Sequence, residues 1–205
     1  MKLTDLNVTD YLKLVDSDAP APGGGSASAL CGAQGAGLLA MAAKLTVGKE
    51  KYAAFHAVCA AVIAEADDLC GKLTAQIDRD TEAYNRIAAA FRLPRGDETQ
   101  TAARKREIAA ATVYAAEVPL ETMRLAMRGL QCAERLAGHF NTNCASDVGC
   151  GIEGLLCCIH GAHLNVQINV GGMAEAAALR AEADEIAARA DALCKELMGQ
   201  IRACL

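Results

Sequence analysis

The sequence of 205 residues has no tryptophan, and aromatic residues make up only 3% of it. It has no excess of basic residues either: 20 Lys and Arg stand against 25 Asp and Glu, a formal charge of −5. Nucleic-acid binders usually carry a positive stripe with stacking aromatics, so that class of partner is excluded. Period-two alternation is missing except for the short run Val166 to Val170. Paired Cys-x-x-Cys elements, a Gly-x-Ser-x-Gly elbow and a P-loop Gly-Lys-Ser/Thr are all missing. These gaps speak against a zinc ribbon, an α/β-hydrolase and a nucleotide-binding loop. No signal peptide follows Met1, where Lys2, Thr4, Asp5 and Asn7 are polar, so a cytoplasmic protein is expected.

What is present is helix-forming. Hydrophobic residues reach 53%, much of it alanine, the best helix former and small enough to let helices approach closely. The expected fold is all-α, a single domain over residues 1–205 built as a bundle of long, partly kinked helices. A core of such small residues stabilises a monomer weakly, so a homodimer is expected. The uncharged stretch Ser26 to Ala43 is rich in Gly, Ser and Ala and reads as a packed soluble helix, with no membrane partner. Ten cysteines without a secretory signal read as reduced thiols, and Cys59, Cys70, Cys132 and Cys194 as small hydrophobes.

Along the chain, Thr9 is expected to cap a helix from about Asp10 to Val15. The segment Ser17 to Gly25 is read as non-helical, and a helix opens at Ser26 and reaches about Leu45. Apolar residues at Phe55, Val58, Cys59, Val62, Ala66, Leu69, Leu73 and Ile77 predict a long amphipathic helix that ends at Leu93-Pro94. Another follows from about Thr101 to Ala137, with a kink expected from Pro119. His139 to Asp147 reads as a loop, Val148 to Asn165 as a buried helix, and Gly171-Gly172 as a break. A final helix carries the seam Leu179, Ile186, Leu193, Leu197 and Ile201.

Five groups of residues invite chemistry. Pro22, Gly23, Gly24, Gly25 and Ser26 form a glycine loop in front of a helix N-terminus, whose free amides suit a carboxylate or phosphate; on the loop alone, a hinge before a capped helix is the preferred reading. Lys44, Lys49 and Lys51 would supply positive charge near that loop, or are simply solvated. Asp78 and Asp80 share a helix with Tyr84, and a carboxylate on its buried side could serve as general acid or base. On the residues alone, the solvent-facing reading of these aspartates is preferred. Asn141, Asn143, Ser146 and Asp147 could read a heterocycle edge or cap a helix. Cys157, Cys158, His160 and His163 raise a metal site, but buried packing is preferred, and no metal is expected.

Taken together, the motifs resemble the cyclodeaminase/methenyltetrahydrofolate cyclohydrolase family. The resemblance rests on Ser17-Asp-Ala-Pro-Ala-Pro-Gly-Gly-Gly-Ser26, Met41 to Tyr52, Asp80-Thr-Glu-Ala-Tyr84 and Leu93-Pro94. Further along it rests on Val118-Pro119-Leu120, the Asn141/Asn143/Ser146/Asp147 segment, and Asn165 to Asn169. Order and spacing agree over nearly the whole chain, although Phe140-Asn141-Thr142-Asn143 stands where the family commonly has Gly-Asn-Pro-Asn. The resemblance implies a helical homodimer with active sites in grooves between protomers, a tetrahydrofolate substrate, no cofactor, and Asp80 as catalytic acid/base. It assigns the glycine loop, the three lysines, Tyr84 and the asparagine segment to substrate binding. Its expected activity is hydrolysis of methenyltetrahydrofolate, with cyclodeamination of formiminotetrahydrofolate as the alternative. A Cys/His metal or redox protein and a non-catalytic helical interaction module are the readings from other classes.

Overall fold

The computed structural model describes residues 2–171 and 176–205, and these form helices joined by short turns. The helices are α1 (Val8–Val15), α2 (Gly24–Lys44), α3 (His56–Phe91), α4 (Glu98–Leu136), α5 (Ala145–Asn169) and α6 (Ala177–Arg202). Short 3-10 turns occupy Leu3–Asp5, Glu50–Phe55 and Thr142–Cys144. No strand occurs among the described residues, and Val166 to Asn169, the one run with period-two character, completes α5. The all-α expectation holds.

Helix ends differ from the sequence reading where a cap decides them. Helix α1 begins earlier than Thr9 because the Asn7 side chain accepts the Asp10 amide at 2.9 Å. At the start of α4 the Asp97 side chain accepts the Gln100 amide at 2.7 Å, so that helix opens at Glu98. Helix α5 starts at Ala145, because the Asn141 side chain folds the preceding residues into a 3-10 turn. The expected break at Gly171-Gly172 lies partly outside the described residues. Helix α4 runs through Pro119 as one element.

The core lies between α2, α3, α4 and α5, with α6 laid over α4 and α5. Leu39, Leu69, Leu73, Leu120, Met123, Leu130, Ile152 and Leu155 are fully buried there. Cys59, Cys132 and Cys194 are buried beside them as the expected small hydrophobes, and all ten cysteines are free thiols. Helices α2 and α5 run antiparallel in unusually close contact. A Cβ on Gly35 would come within 2.6 Å of the Gly151 carbonyl, and one on Gly151 within 3.0 Å of the Gly35 carbonyl. Gly32 faces Cys158 and Gly154 faces Cys31 in the same way. The uncharged α2 is long and apolar enough to cross a membrane, but it packs as an interior helix of this bundle. On the outer side, Met41 of α2, Leu45 just after it, and Leu164 and Ile168 of α5 are exposed.

The Cys/His group of α5 divides. Cys158 is buried, and burial pushes its thiol pKa up, whereas Cys157 and His160 are exposed, against the expected buried packing. His160 meets Asp191 at 2.9 Å and His163 meets Asp184 at 2.6 Å, so both imidazoles tie α5 to α6. No cluster of three or more metal-ligating side chains occurs among the described residues.

Candidate active site

The glycine loop delivers the chain into α2 with Gly23 as N-cap, and Gly24 and Gly25 already helical. Glycine has no side chain to accept the free amides of the first turn. That acceptor comes from another helix. The Asp80 carboxylate of α3 accepts the Ser26 amide at 2.9 Å and lies 3.1 Å from the Ser26 hydroxyl. A side chain at Gly25 would occupy the position of the Asp80 carboxylate. The triple glycine thus leaves room for a carboxylate from α3 to act as the cap, and the helix begins two residues before Ser26. Glycine in a helix costs about 1 kcal/mol per residue, and a cap contributes about the same.

Ser26 is fully buried, and its hydroxyl has more acceptors than protons. It lies 2.8 Å from the Ile77 carbonyl, which can only accept, and 3.1 Å from Asp80 Oδ2. When the single hydroxyl proton goes to Ile77, the contact with Asp80 is a hydrogen bond only if the carboxyl is protonated. Burial raises the Asp80 pKa from the ordinary aspartate value, while the Ser26 hydroxyl and amide pull it down. Asp78, two residues earlier, plays a structural part instead. It accepts Leu3 N at 2.6 Å and Thr4 Oγ1 at 2.7 Å and so pins the N-terminal segment to α3.

In front of Asp80 lies a recess of about 160 Å³. Gly23 and Gly24 form its near wall, Tyr84 and Ile87 continue along α3, and Ala115, Asn165 and Asn169 close the far side. Pro22 is buried beneath the loop, after a cis Ala21–Pro22 peptide. Asn165 and Asn169 belong to a sequence block that carries no individual role in the motif reading; their i, i+4 spacing near the end of an otherwise apolar helix is the signal that marks them.

The remaining candidate residues lie elsewhere. Helix α2 is 21 residues long, so its C-terminal end stands roughly 30 Å from the glycine loop. There Lys44 pairs with Asp67 at 2.7 Å, and Lys49 and Lys51 are exposed, Lys51 lying 5.2 Å from the Tyr52 ring centroid. Buried Asn141 takes the Tyr52 hydroxyl at 3.2 Å and donates its own amide to Thr46 Oγ1 at 2.8 Å. Asn143 and Ser146 are exposed and Asp147 half-buried around it. The structure brings Pro22, Gly23, Gly24, Gly25, Ser26, Asp80 and Tyr84 together. It brings Lys44, Lys49, Lys51, Asn141, Asn143, Ser146 and Asp147 together separately, at the opposite end of α2 and α5. The lysines therefore supply no charge beside the glycine loop of their own chain, because the rigid α2 stands between.

Residues 7–195 match the family described as formiminotransferase-cyclodeaminase. The chain belongs to this family. It is 35% identical to the methenyltetrahydrofolate cyclohydrolase of Methylorubrum extorquens over 166 residues, covering 81% of this chain and 80% of that protein. It is 33% identical to the formimidoyltransferase-cyclodeaminase of Dictyostelium discoideum over 82% of this chain, and spans only 30% of that longer protein. The fold matches the crystal structure of formiminotetrahydrofolate cyclodeaminase from Thermotoga maritima, with a TM-score of 0.82 at 22% identity, covering 100% of this chain and 98% of that one. Membership accounts for the motifs read in register along the chain. The local geometry adds what they do: the family's glycine loop is a socket for a carboxylate of the same chain.

Proposed function

We propose that this protein is a methenyltetrahydrofolate cyclohydrolase, converting N5,N10-methenyltetrahydrofolate to N10-formyltetrahydrofolate in the cytoplasm. The observation that carries this reading is the half-enclosed Asp80 carboxyl, raised in pKa and facing a recess with no cationic side chain in its lining among the described residues. The bridging carbon of the substrate carries amidinium-like positive charge and is already electrophilic, so an activated water suffices to attack it. Asp80 takes a proton from that water as its oxygen bonds to the carbon. It returns the proton to N5 as the carbon–N5 bond breaks, while the remaining hydroxyl proton leaves to solvent, so that the formyl group stays on N10 and one proton is released overall. A raised pKa suits a group that must hold a proton between two steps near neutral pH.

The separation of the two residue clusters supports a homodimer. An antiparallel second copy would set its Lys49, Lys51, Asn141, Asn143, Ser146 and Asp147 across a groove from Asp80. The lysines would hold the glutamate end of the folate, and the asparagines would contact the pterin or orient water. The exposed Met41, Leu45, Leu164 and Ile168 offer an apolar face for such pairing. Mixing two inactive variants, Asp80→Asn and the double change Asn143→Ala with Asp147→Asn, should restore turnover through mixed dimers with one intact groove. Mixtures no more active than their parts would remove the shared-groove reading.

Cyclodeamination is the second reading, favoured by the relatives named as cyclodeaminases. There N10 attacks the formimino carbon on N5, and the protonated nitrogen departs as ammonia, with the same carboxyl supplying the proton. Loss of methenyltetrahydrofolate absorbance, measured beside ammonia release from formiminotetrahydrofolate, decides between them. Hydrolysis without ammonia establishes the cyclohydrolase, ammonia at a comparable rate the cyclodeaminase, and silence in both assays removes the folate reading.

A further inference from the structure

Pro119 lies within α4 and has no amide proton, so the carbonyl four residues earlier, that of Ala115, loses its helical donor. Ala115 is buried at 4% exposure, where an unpaired carbonyl is costly. The structure fills the gap from another helix: Asn169 Nδ2, on the last residue of α5, donates to Ala115 O at 2.7 Å. Both residues line the Asp80 recess.

This bond fixes which way the carboxamide faces. A carbonyl can only accept, so the Asn169 NH₂ group must point at Ala115, and its Oδ1 is turned away from that carbonyl, with no donor to it among the described residues. Asn165, one turn earlier, is oriented by the same logic, its Nδ2 donating to the Gly161 carbonyl at 2.8 Å. The recess therefore sets the Asp80 carboxyl beside the Asn169 carboxamide, and none of the described residues lining it is Lys, Arg or His. Asn169 is also the final residue of α5, whose C-terminal end carries the negative pole of the helix dipole. The opposite pole, at the α2 N-terminus, is occupied by Asp80 itself.

We propose that Asn169 is a specificity-determining residue and Pro119 the positioning residue that sets it. Together they make the recess a receptor for the N–H-bearing, cationic end of the ligand rather than for its carboxylates. Resting on the folate reading above, this gives the substrate a direction. The pterin and one-carbon unit, rich in N–H donors and positive charge, enter the recess. The glutamate end points outward, away from the Asp80 carboxyl.

The test uses the full-length protein, with KM for methenyltetrahydrofolate, calorimetric Kd for 5-formyltetrahydrofolate and melting temperature read together. Asn169→Ala should raise both KM and Kd about tenfold, the worth of one well-made hydrogen bond, with a much smaller change in kcat. Pro119→Ala returns an N–H to the Ala115 carbonyl and frees the Asn169 amide to rotate. It should raise Kd several-fold while the melting temperature stays level or climbs, and should add nothing in the Asn169→Ala background. A folded Asn169→Ala variant with unchanged KM and Kd, or effects of the two substitutions that simply multiply, would overturn the proposal. A fall in melting temperature with unchanged binding would reduce Asn169 to a structural clasp and also overturn it. If the wild type neither turns over nor binds a folate, the proposed function falls on its own. The tether is then read from the side-chain amide resonances of Asn169, which must shift in Pro119→Ala; unshifted resonances would refute it.

Discussion

The two ends of the α2–α5 pair are built from opposite materials. At the α2 N-terminus, glycines, a buried serine and the Asp80 carboxyl surround a recess that no cationic side chain lines among the described residues. At the other end, lysines stand exposed around the buried pair Tyr52–Asn141, and a 3-10 turn presents Asn143 to solvent. At the first end the carboxyl is held by a helix amide and partly withdrawn from water, the arrangement that the proposed proton transfer calls for. The second end carries exposed cationic side chains, which suit anions. A ligand with one donor-rich cationic end and one anionic end is complementary to both, but only if they face each other across two chains.

Several changes would break or sharpen this contrast. Asp80→Asn should lower turnover by about 100- to 10,000-fold, the range of general acid–base catalysis. Its effect on stability has the opposite sign. An aspartate whose folded pKa is raised binds its proton more tightly when folded, so it favours the fold at low pH and opposes it as pH rises through the folded pKa. The asparagine variant should therefore melt at or above the wild-type temperature near neutral pH, and loss of folding would undermine the assigned role. Gly25→Ala comes next. Its methyl group collides with the carboxylate, and a displacement of that kind costs roughly 100-fold in rate, visible as lost kcat in a protein with unchanged helical circular dichroism. Replacing Lys49 and Lys51 together by alanine should raise KM about tenfold and leave kcat nearly intact, with a salt dependence that weakens in the variant. The acid limb of kcat/KM should titrate above about 3.9, the ordinary aspartate value; a limb at or below it would contradict the withdrawn carboxyl. The smallest effect belongs to Arg124→Ala. This removes a two-pronged pair with Glu182 at 2.6 and 2.7 Å between α4 and α6, but the group is 41% exposed. Discounted for screening, the loss should be about 0.5 kcal/mol by denaturant titration, with activity unchanged.

The long helices are legible in the sequence because burial imposes a period: Leu69, Leu73 and Ile77 on α3, and Ile186, Leu197 and Ile201 on α6, are buried as their spacing predicts. Helix ends are less legible where the capping group comes from elsewhere. No local rule says that Gly24 and Gly25 are helical, since the acceptor for the first turn lies 54 residues from Ser26 in sequence. The same distance hides Asp80: its spacing alone favours a solvent-facing carboxylate, and only the family motif singles it out. Pro119 predicts a kink because it lacks a donor, and the donor is indeed missing. That an asparagine 54 residues beyond Ala115 supplies the replacement is a property of the fold, and nothing near Pro119 encodes it. Nearness in sequence puts the lysines beside the glycine loop, and an intervening rigid helix is what proximity along a chain ignores.

The glycine seam between α2 and α5 has a further meaning for how this protein can vary. At Gly35 and Gly151 each helix rests on the backbone of the other, so even a methyl group has nowhere to go. Such positions accept one residue type for reasons indifferent to chemistry, whereas an exchange such as Asp80→Asn, which keeps an acceptor for the Ser26 amide, is expected to act on turnover. In a library of random variants sorted once for soluble expression and once for turnover, substitutions in the seam should vanish in the first sort, and those in the recess that keep its hydrogen bonds should be lost in the second. The two sets of survivors, set against each other, would separate the residues that shape the scaffold from those that use it.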